Sequence, residues 1–445
     1  MAEVFRSTAQ TAGLPETLAT VLKWRDASVP FSEEDFATAT EELNNVIEVL
    51  DSHDDASGRS IRVLARMVLG NIHRDHGLLD HAIPFYDAAL ANPADINDGT
   101  SRGKNELANL HTNRGICRLT AGDPEHFPAA LEDFDAAIAL RKELPLEEDP
   151  GYRWGLSAGL MNRGDVLHRL GERDAEAVAA YDEAIEHLKQ LPYAENPGML
   201  QRYALAWANR GLVVEDPAEA RRCFDECIKL LSNPQNPQQL LTLCNAMLNR
   251  GRHSLQTADD TEATAADARQ VLELIAQHER SHPAPAEMAL QARHLLAHAL
   301  VAWLDSNRKG PGIAEDWIGD ATDTVEEALA VERFWEQQGV TALRPLASDL
   351  FQLGLHVYRV CQPHFFADFL IESMDPEMSP GAPFEDSRFQ AAAARALQQA
   401  VNEVAQRAAS STLDPEYTEK QQKILKTLKI ADHRLAELQK AMQMA

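Results

Sequence analysis

The segment "VLGNIHRDHGLLDHAIPFYDAALANP" (68–93) carries the pattern that decides the fold of this chain. One glycine lies inside a helical pattern (Gly70), and a second follows seven residues later at a turn (Gly77). An aromatic residue (Tyr86) then precedes a small one (Ala89) by three positions, and a proline closes the segment. Residues three apart lie on one face of a helix, so a large side chain sits beside a small one. The segment therefore predicts two closely packed helices.

The same phrases return along the chain at intervals of 40 to 49 residues. A motif with a regular period is typical of a repeat architecture rather than of a single active site. A glycine inside a helix costs roughly 1 kcal/mol relative to alanine, which is tolerated where it lets a neighbouring helix approach. The triplet "NRG" occurs at 113–115, 162–164, 209–211 and 249–251, and the aromatic phrases are "FYDAAL" (85–90), "DFDAAI" (133–138), "AYDEAI" (180–185) and "CFDECI" (223–228).

On these motifs the chain resembles the tetratricopeptide repeat family, in particular its long-repeat members such as the kinesin light chain. The resemblance covers about 60–360 and is close up to residue 250. It implies an all-α fold, an α-solenoid of stacked antiparallel helix pairs with helical caps at both ends. The extra length is interpreted as insertions such as 120–127 and 143–155. The arginine of each triplet departs from the family, which usually has an aliphatic residue there.

The resemblance and the pattern of apolar residues divide the chain into five expected segments. These are N-terminal capping helices (1–57), a well-matched array of about five repeats (58–280), degenerate helical repeats (281–373), a loop (374–386) and C-terminal helices (387–445).

The last predicted helix carries apolar residues at alternating steps of four and three, which is a short heptad seam. It is interpreted either as a terminal helix packed on the solenoid or as a surface for dimerisation or partner docking. The residues proposed for dimerisation are Ile424, Leu428, Leu435 and Leu438.

Composition limits the partners and the compartment. The net charge is −27, with 69 acidic and 42 basic side chains. Such a surface repels phosphate backbones, so nucleic acid is not expected as the main partner, whereas a basic segment of a protein is. The alternative is simply a solvated acidic surface. No signal-peptide pattern or membrane-spanning run is found in the sequence, and the five cysteines lack framework spacing, so a cytoplasmic protein is expected.

The arginine of each triplet keeps a steady separation from the aspartate of the preceding aromatic phrase, namely 27, 28, 28 and 25 residues. Within a repeat the separations are 21, 19 and 15. The steadier register predicts ion pairs between the second helix of one repeat and the first helix of the next, a role that suits the planar guanidinium group. The alternative is a ladder of arginines that binds a ligand. The predicted pairs are Asp87–Arg114, Asp135–Arg163, Asp182–Arg210 and Asp225–Arg250.

Asparagines recur on the predicted first helices. By resemblance to tetratricopeptide proteins, such residues face the concave groove and bind the backbone of an extended peptide. The alternative is that they cap or bridge adjacent helices. The groove candidates are Asn71, Asn109, Asn113, Asn162, Asn209 and Asn249.

Candidates for chemistry are few. His294 and His298 lie four apart on a predicted helix, a spacing that can bind zinc, but no third ligand accompanies them. Cys223 and Cys227 fill packing positions of a repeat. No phosphate-binding glycine loop or nucleophile elbow is found. No catalytic residue, metal or cofactor is therefore expected, and the chain is not expected to be an enzyme.

The function predicted is that of a non-catalytic cytoplasmic adaptor or scaffold, which binds a protein or peptide partner with a basic segment in the groove. The alternative is a regulatory or sensor subunit that binds a small effector or signal peptide and controls an associated enzyme. The fold by itself does not choose between them.

Overall fold

The computed structural model describes residues 15–26, 32–51, 55–258 and 260–307, together with scattered positions between 324 and 343. Every regular element in these residues is a helix, as predicted. Two compact units divide the chain, residues 1–233 and 234–445. The predicted loop and the heptad helix with Ile424, Leu428, Leu435 and Leu438 lie outside the described residues.

The first unit is a stack of helices packed in chain order. Each helix contacts the next, and the first helices of neighbouring pairs also touch. This is the stack of helix pairs that the repeat pattern predicts. The elements are α1 (Pro15–Arg25), α2 (Glu33–Asp51), and the pairs α3 (Ala56–Asp75) with α4 (Leu79–Leu90), α5 (Ser101–Thr120) with α6 (Phe127–Lys142), α7 (Pro150–Leu170) with α8 (Asp174–Lys189), and α9 (Pro197–Val213) with α10 (Pro217–Leu230).

The second unit contains α11 (Pro237–Ala258), α12 (Thr261–Ile275) and α13 (Pro283–Asn307). These helices pack consecutively, and α11 also contacts α13. The division between the units follows the fourth helix pair and so falls inside the predicted array 58–280. Among the helices of the described segments, none has the length and apolar character of a membrane span.

Four glycines, one in the first helix of each pair of the first unit, face the aromatic ring of their own helix pair. A Cβ atom built on each would lie 2.7 to 2.9 Å from a ring carbon, closer than real Cβ atoms approach. All four rings are buried. The predicted reason for these glycines, close approach of a neighbouring helix, is confirmed. The contacts are Gly70 with Tyr86, Gly115 with Phe134, Gly164 with Tyr181, and Gly211 with Phe224.

The turn inside three pairs is made by a glycine with φ near +70°. Gly77, Gly122 and Gly171 have φ of 74°, 74° and 72°. This left-handed region is sterically costly for residues with a Cβ atom. The predicted turn glycines are therefore required by the backbone.

Asp-Pro and Asn-Pro sequences start the later helices. The side chains of Asp149, Asn196 and Asp216 accept hydrogen bonds from backbone N–H groups in the first helical turn. Proline follows at the first helical position, where its missing N–H is no loss. Helix α7 thus begins at Pro150, inside the stretch 143–155 interpreted as an insertion.

The two N-terminal helices cover the first pair. Leu18 and Val21 of α1 and Leu43 of α2 join one buried cluster with Ile61 and Leu64 of α3. The apolar face of α3 is thereby shielded at the start of the stack, which a repeat array requires at its ends.

Candidate functional site: the asparagine face

Five of the six candidate asparagines lie at half-buried positions on the first helices of the first unit. We call these side chains, on α3, α5, α7 and α9, the asparagine face: Asn71, Asn109, Asn113, Asn162 and Asn209. The sixth, Asn249, lies on α11 of the second unit, where its Oδ1 accepts a hydrogen bond from Arg252 Nη1 at 2.9 Å.

At one end of the face, amides bridge α3 and α5. The Tyr86 hydroxyl donates to Asn71 Oδ1 at 2.7 Å, and Asn113 Nδ2 donates to the same oxygen at 3.0 Å. Arg74 Nη1 in turn donates to Asn113 Oδ1 at 2.9 Å. These two asparagines therefore bridge adjacent helices, which is the alternative that the sequence left open.

In the third pair (α7 with α8), an aspartate takes the place of Asn71 as the acceptor of a tyrosine hydroxyl and an asparagine amide. Asp165 follows Gly164 as Asn71 follows Gly70. Its Oδ1 accepts hydrogen bonds from the Tyr181 hydroxyl and, at 3.1 Å, from Asn209 Nδ2. Burial raises the pKa of the Asp165 carboxyl, and the hydrogen bond from Tyr181 only partly opposes it. An acid thus fills a place that suits an amide.

The second pair (α5 with α6) and the fourth pair (α9 with α10) do not have a tyrosine–amide bridge. Their aromatic residues are phenylalanines, and the position after the glycine is Ile116 in α5 and Leu212 in α9. The register of the bridges places Asn162 of α7 opposite Ile116, which has no polar atom to offer. No side-chain hydrogen bond of Asn162 is found among the described residues. Its amide thus differs from those of Asn113 and Asn209, which take part in bridges.

Asn109 connects two buried charges. Arg141 of α6 is 3% exposed, and it donates to Thr112 Oγ1 at 2.9 Å and to Asn109 Oδ1 at 2.7 Å. Asn109 Nδ2 makes a long hydrogen bond of 3.4 Å to Glu106 Oε2. Burial lowers the pKa of Arg141 to about 10, so the guanidinium group keeps its charge at neutral pH. A single amide thus separates this cation from the Glu106 carboxylate.

The face also has apolar components on α7 and α9. The Arg202 guanidinium carbon lies 3.2 Å from the ring centroid of Trp154, and Nη1 donates to the Trp154 carbonyl at 3.0 Å. Leu205 and Leu212 are 36% and 53% exposed. They lie seven residues apart, on the helix stripe that also carries Asn209. Apolar and hydrogen-bonding groups thus alternate along α9.

Three of the four predicted inter-repeat ion pairs are present. Asp225 and Arg250 belong to different units, so the fourth pair stays a prediction. The arginine side chains are 7% to 24% exposed and so do not form a solvent-facing ladder. The pairs are Arg114–Asp87 at 2.7 Å, Arg163–Asp135 at 2.7 Å and Arg210–Asp182 at 2.6 Å.

Each of these arginines has a second carboxylate, which the sequence reasoning missed. It comes from the second helix of the arginine's own pair, so the guanidinium group joins two successive pairs. The second partners are Asp133 for Arg114 at 2.6 Å, Glu176 for Arg163 at 3.8 Å and Glu219 for Arg210 at 2.7 Å. In the second unit, Arg250 likewise binds an acid of the following helix, Asp267, at 2.5 Å.

Asp133 is the most enclosed of these acids, at 2% exposure. Arg114, Arg118 and His111 all contact its carboxylate at 2.6 to 2.9 Å. Burial raises the pKa of Asp133, but the hydrogen bonds from His111 and Arg114 outweigh it and hold the pKa below its ordinary value. This acid is a structural anion rather than a proton donor.

The sequence singled out His294 and His298 as candidates for metal chemistry. The rings of His294 and His298 are 4.5 Å apart, and within the described residues no group of three or more metal-ligating side chains is found. Arg210 Nη1 donates to Cys223 Sγ at 3.0 Å. Burial raises the pKa of Cys227 to about 12, so it remains a thiol. Both cysteines are buried packing residues.

No family model and no curated protein match the chain. Solved structures give only distant similarity. BtubC (BKLC) from P. vanneervenii is 17% identical with a TM-score of 0.40, over 63% of this chain and 94% of that one. The apo form of RapI is 10% identical with a TM-score of 0.39, over 77% and 97%. The Rap conjugation gene regulator of plasmid pLS20, solved with the Phr* peptide, is 13% identical with a TM-score of 0.33, over 78% and 97%. At these values no functional assignment follows.

Proposed function

We propose that the chain is a non-catalytic scaffold whose asparagine face binds an extended segment of a protein or peptide partner. The observation that carries the proposal is Asn162, half-buried on α7 and without a side-chain hydrogen bond in the described part of the chain. An amide offers two donors and one acceptor, the groups that pair with the C=O and N–H of an extended backbone.

The neighbouring side chains supply the apolar contact that such a site needs. Leu205 and Leu212 are exposed on α9, and Trp154 of α7 lies under the guanidinium group of Arg202, three residues before Leu205. Aromatic and arginine side chains dominate the energetics of protein interfaces. Polar groups that fix the backbone are thus combined with apolar groups that exclude water.

Charge favours a basic partner. The net charge of −27 attracts a segment rich in lysine and arginine and speeds its encounter at low salt. A cytoplasmic location belongs to the same proposal. The four cysteines in the described residues are buried and free, which suits a reducing compartment.

The test uses a displayed library of random peptides, selected on the whole chain. Affinities of the enriched peptides are then measured by fluorescence anisotropy on Asn162→Ala and Leu205→Asp. We expect Asn162→Ala to weaken binding about three- to tenfold, the value of one neutral hydrogen bond, and Leu205→Asp to weaken it more.

The matched control is Asn92→Ala. Asn92 is exposed and its side chain caps no helix, so peptide affinity should not change. Peptides that bind all three variants as tightly as the wild type would place the binding site elsewhere and refute the proposal.

A further inference from the structure

A pocket of about 280 Å³ lies between the N-terminal halves of α3 and α5 and the loop that joins α4 to α5. Its volume falls just below the roughly 300–1,000 Å³ of small-molecule sites, which suits a single long side chain. Its apolar wall includes Leu64 and Met67 of α3 and Leu110 of α5. The pocket adjoins the asparagine face at Asn109, because Asn109 donates a hydrogen bond to Glu106 of the pocket lining.

The acidic side chains in the pocket lining outnumber the basic ones. Its lining contains two guanidinium groups and three carboxylates. Arg59 Nε binds Asp95 at 2.9 Å. Asp98 is held by Thr100, whose hydrogen bonds lower the pKa of that carboxyl, with a further contribution from the charge of Arg102. The third carboxylate, Glu106, makes no ion pair in the described structure.

Glu106 is enclosed as well as unpaired. It is 9% exposed, and among the described residues its Oε1 has no hydrogen-bond partner. In the same part of the chain, its side chain accepts one hydrogen bond, from Asn109 to Oε2 at 3.4 Å. A buried carboxylate is costly unless a cation or several donors satisfy it. The fold therefore keeps an acidic side chain with an unsatisfied oxygen where stability alone favours an apolar residue, and such a group calls for a ligand as its explanation.

We infer that this pocket binds one lysine or arginine side chain of the partner, with Glu106 as its counter-ion. The aliphatic stem lies along the apolar wall, and the charged head reaches the Glu106 carboxylate. Asn109 then links this ion pair to Arg141, so the charge of the partner residue is added to an existing polar network. The inference rests on the proposed function and names the feature of the partner that is recognised.

The test measures a single residue in solution. N-acetyl-arginine amide is titrated into the whole chain labelled at methionine methyl groups, and the Met67 resonance, assigned with Met67→Leu, is followed by NMR. N-acetyl-citrulline amide is the neutral probe of the same shape. We expect a saturable shift with the arginine probe and none with citrulline.

Glu106→Gln should weaken binding of the arginine probe about tenfold or more, because the charged hydrogen bond is lost. Glu106→Gln should also melt at a higher temperature than the wild type, because it removes a buried charge and keeps an acceptor for Asn109. Glu132→Gln, an exposed glutamate on α6, removes the same charge and should bind the probe like the wild type.

Equal shifts with citrulline, unchanged binding by Glu106→Gln, or no shift in the wild type would each overturn the inference. The proposed function is tested separately by the peptide library. Peptides that bind through Asn162 while the arginine probe fails would leave the scaffold proposal standing and remove the pocket from it.

Discussion

Asn71 and Asp165 occupy the same place in two helix pairs, and each accepts a tyrosine hydroxyl and an asparagine amide. Because the first pair uses an amide, the charge of Asp165 is not needed for the bridge. Asp165→Asn should keep both hydrogen bonds while removing a carboxyl whose pKa burial raises.

The direction of the pH effect follows from that raised pKa. A carboxyl with a folded-state pKa above its unfolded value stabilises the fold at low pH, and the wild type loses this contribution as pH rises through the folded-state pKa. We therefore expect Asp165→Asn to be more stable than the wild type at about pH 7.5, with the difference becoming smaller as the pH falls to about 3.5.

Thermal unfolding at the two pH values measures this difference. Glu132→Gln controls for the loss of one acidic charge from an acidic chain and should show a smaller change at either pH. A melting temperature of Asp165→Asn at or below that of the wild type at about pH 7.5 would contradict the expectation.

The ion pairs show what residue spacing can reveal. The partners Asp87, Asp135 and Asp182 share one position of the repeat, so a constant separation from the arginines exposes them. The second partners do not all share a position. Asp133 directly precedes its aromatic residue, whereas Glu176 and Glu219 precede theirs by five. A long arginine side chain reaches acids at several places, and spacing cannot identify them.

At the scale of helices, the glycine–aromatic contact predicts a graded response to Gly→Ala. In Gly164→Ala the new methyl group meets the Tyr181 ring at 2.7 Å, and in Gly70→Ala it meets the Tyr86 ring at the same distance. Because the buried ring cannot move away, overpacking should lower the free energy of unfolding by about 1–3 kcal/mol. This loss should exceed the roughly 1 kcal/mol that alanine gains over glycine in helix propensity, so both variants should be less stable than the wild type.

Gly251→Ala is the matched control, because the atom that its methyl group crowds is Leu295 Cδ2, the end of a flexible side chain, at 2.9 Å, and its other neighbours lie at ordinary contact distances. We expect its free energy of unfolding in urea to change less than that of the other two variants. Equal losses in all three would mean that the aromatic ring is not what excludes a side chain.

The existence of the helix pairs was predictable because each carries its own glycine, aromatic residue and turn. The residue at which a helix begins was harder to predict. The stretch 143–155 reads as a polar insertion, yet Asp149 caps a helix that begins at Pro150. The capping side chain and the proline decide the boundary, and both also occur in loops.

At the scale of the molecule, the N-terminal helices predict how the stack depends on its end. Deleting residues 1–51 removes Leu18, Val21 and Leu43 from the cluster that covers α3. The exposed apolar face should lower the melting temperature and promote self-association, which light scattering detects. A deletion variant that stays monomeric and melts like the full chain would show that α1 and α2 are dispensable.

The division of the chain after residue 233 was not predictable from the motifs, which continue unchanged to the triplet at 249–251. The fifth pair has lost its aromatic residue, and Leu295 of α13 approaches Gly251 in its place. A third helix thus shares the core of α11 and α12, a change that appears in the sequence only as the absence of the aromatic residue.

The candidate face could be predicted from the sequence because its asparagines recur in the repeats. The unpaired carboxyl group of Glu106 could not be predicted, because whether it has a partner depends on residues distant in the sequence.

The tyrosine–amide bridge decides which helix pair can be copied to lengthen this array. The bridge needs a tyrosine and a polar residue in one pair and the asparagine of the triplet in the next. Because Asn162 and Asn209 occupy the same place in their triplets, a copy of the third pair inserted before the fourth should form one more bridge. A copy of the second pair would instead place Ile116 opposite an asparagine, which then has no side-chain partner there. An engineer who extends the array should therefore copy the third pair.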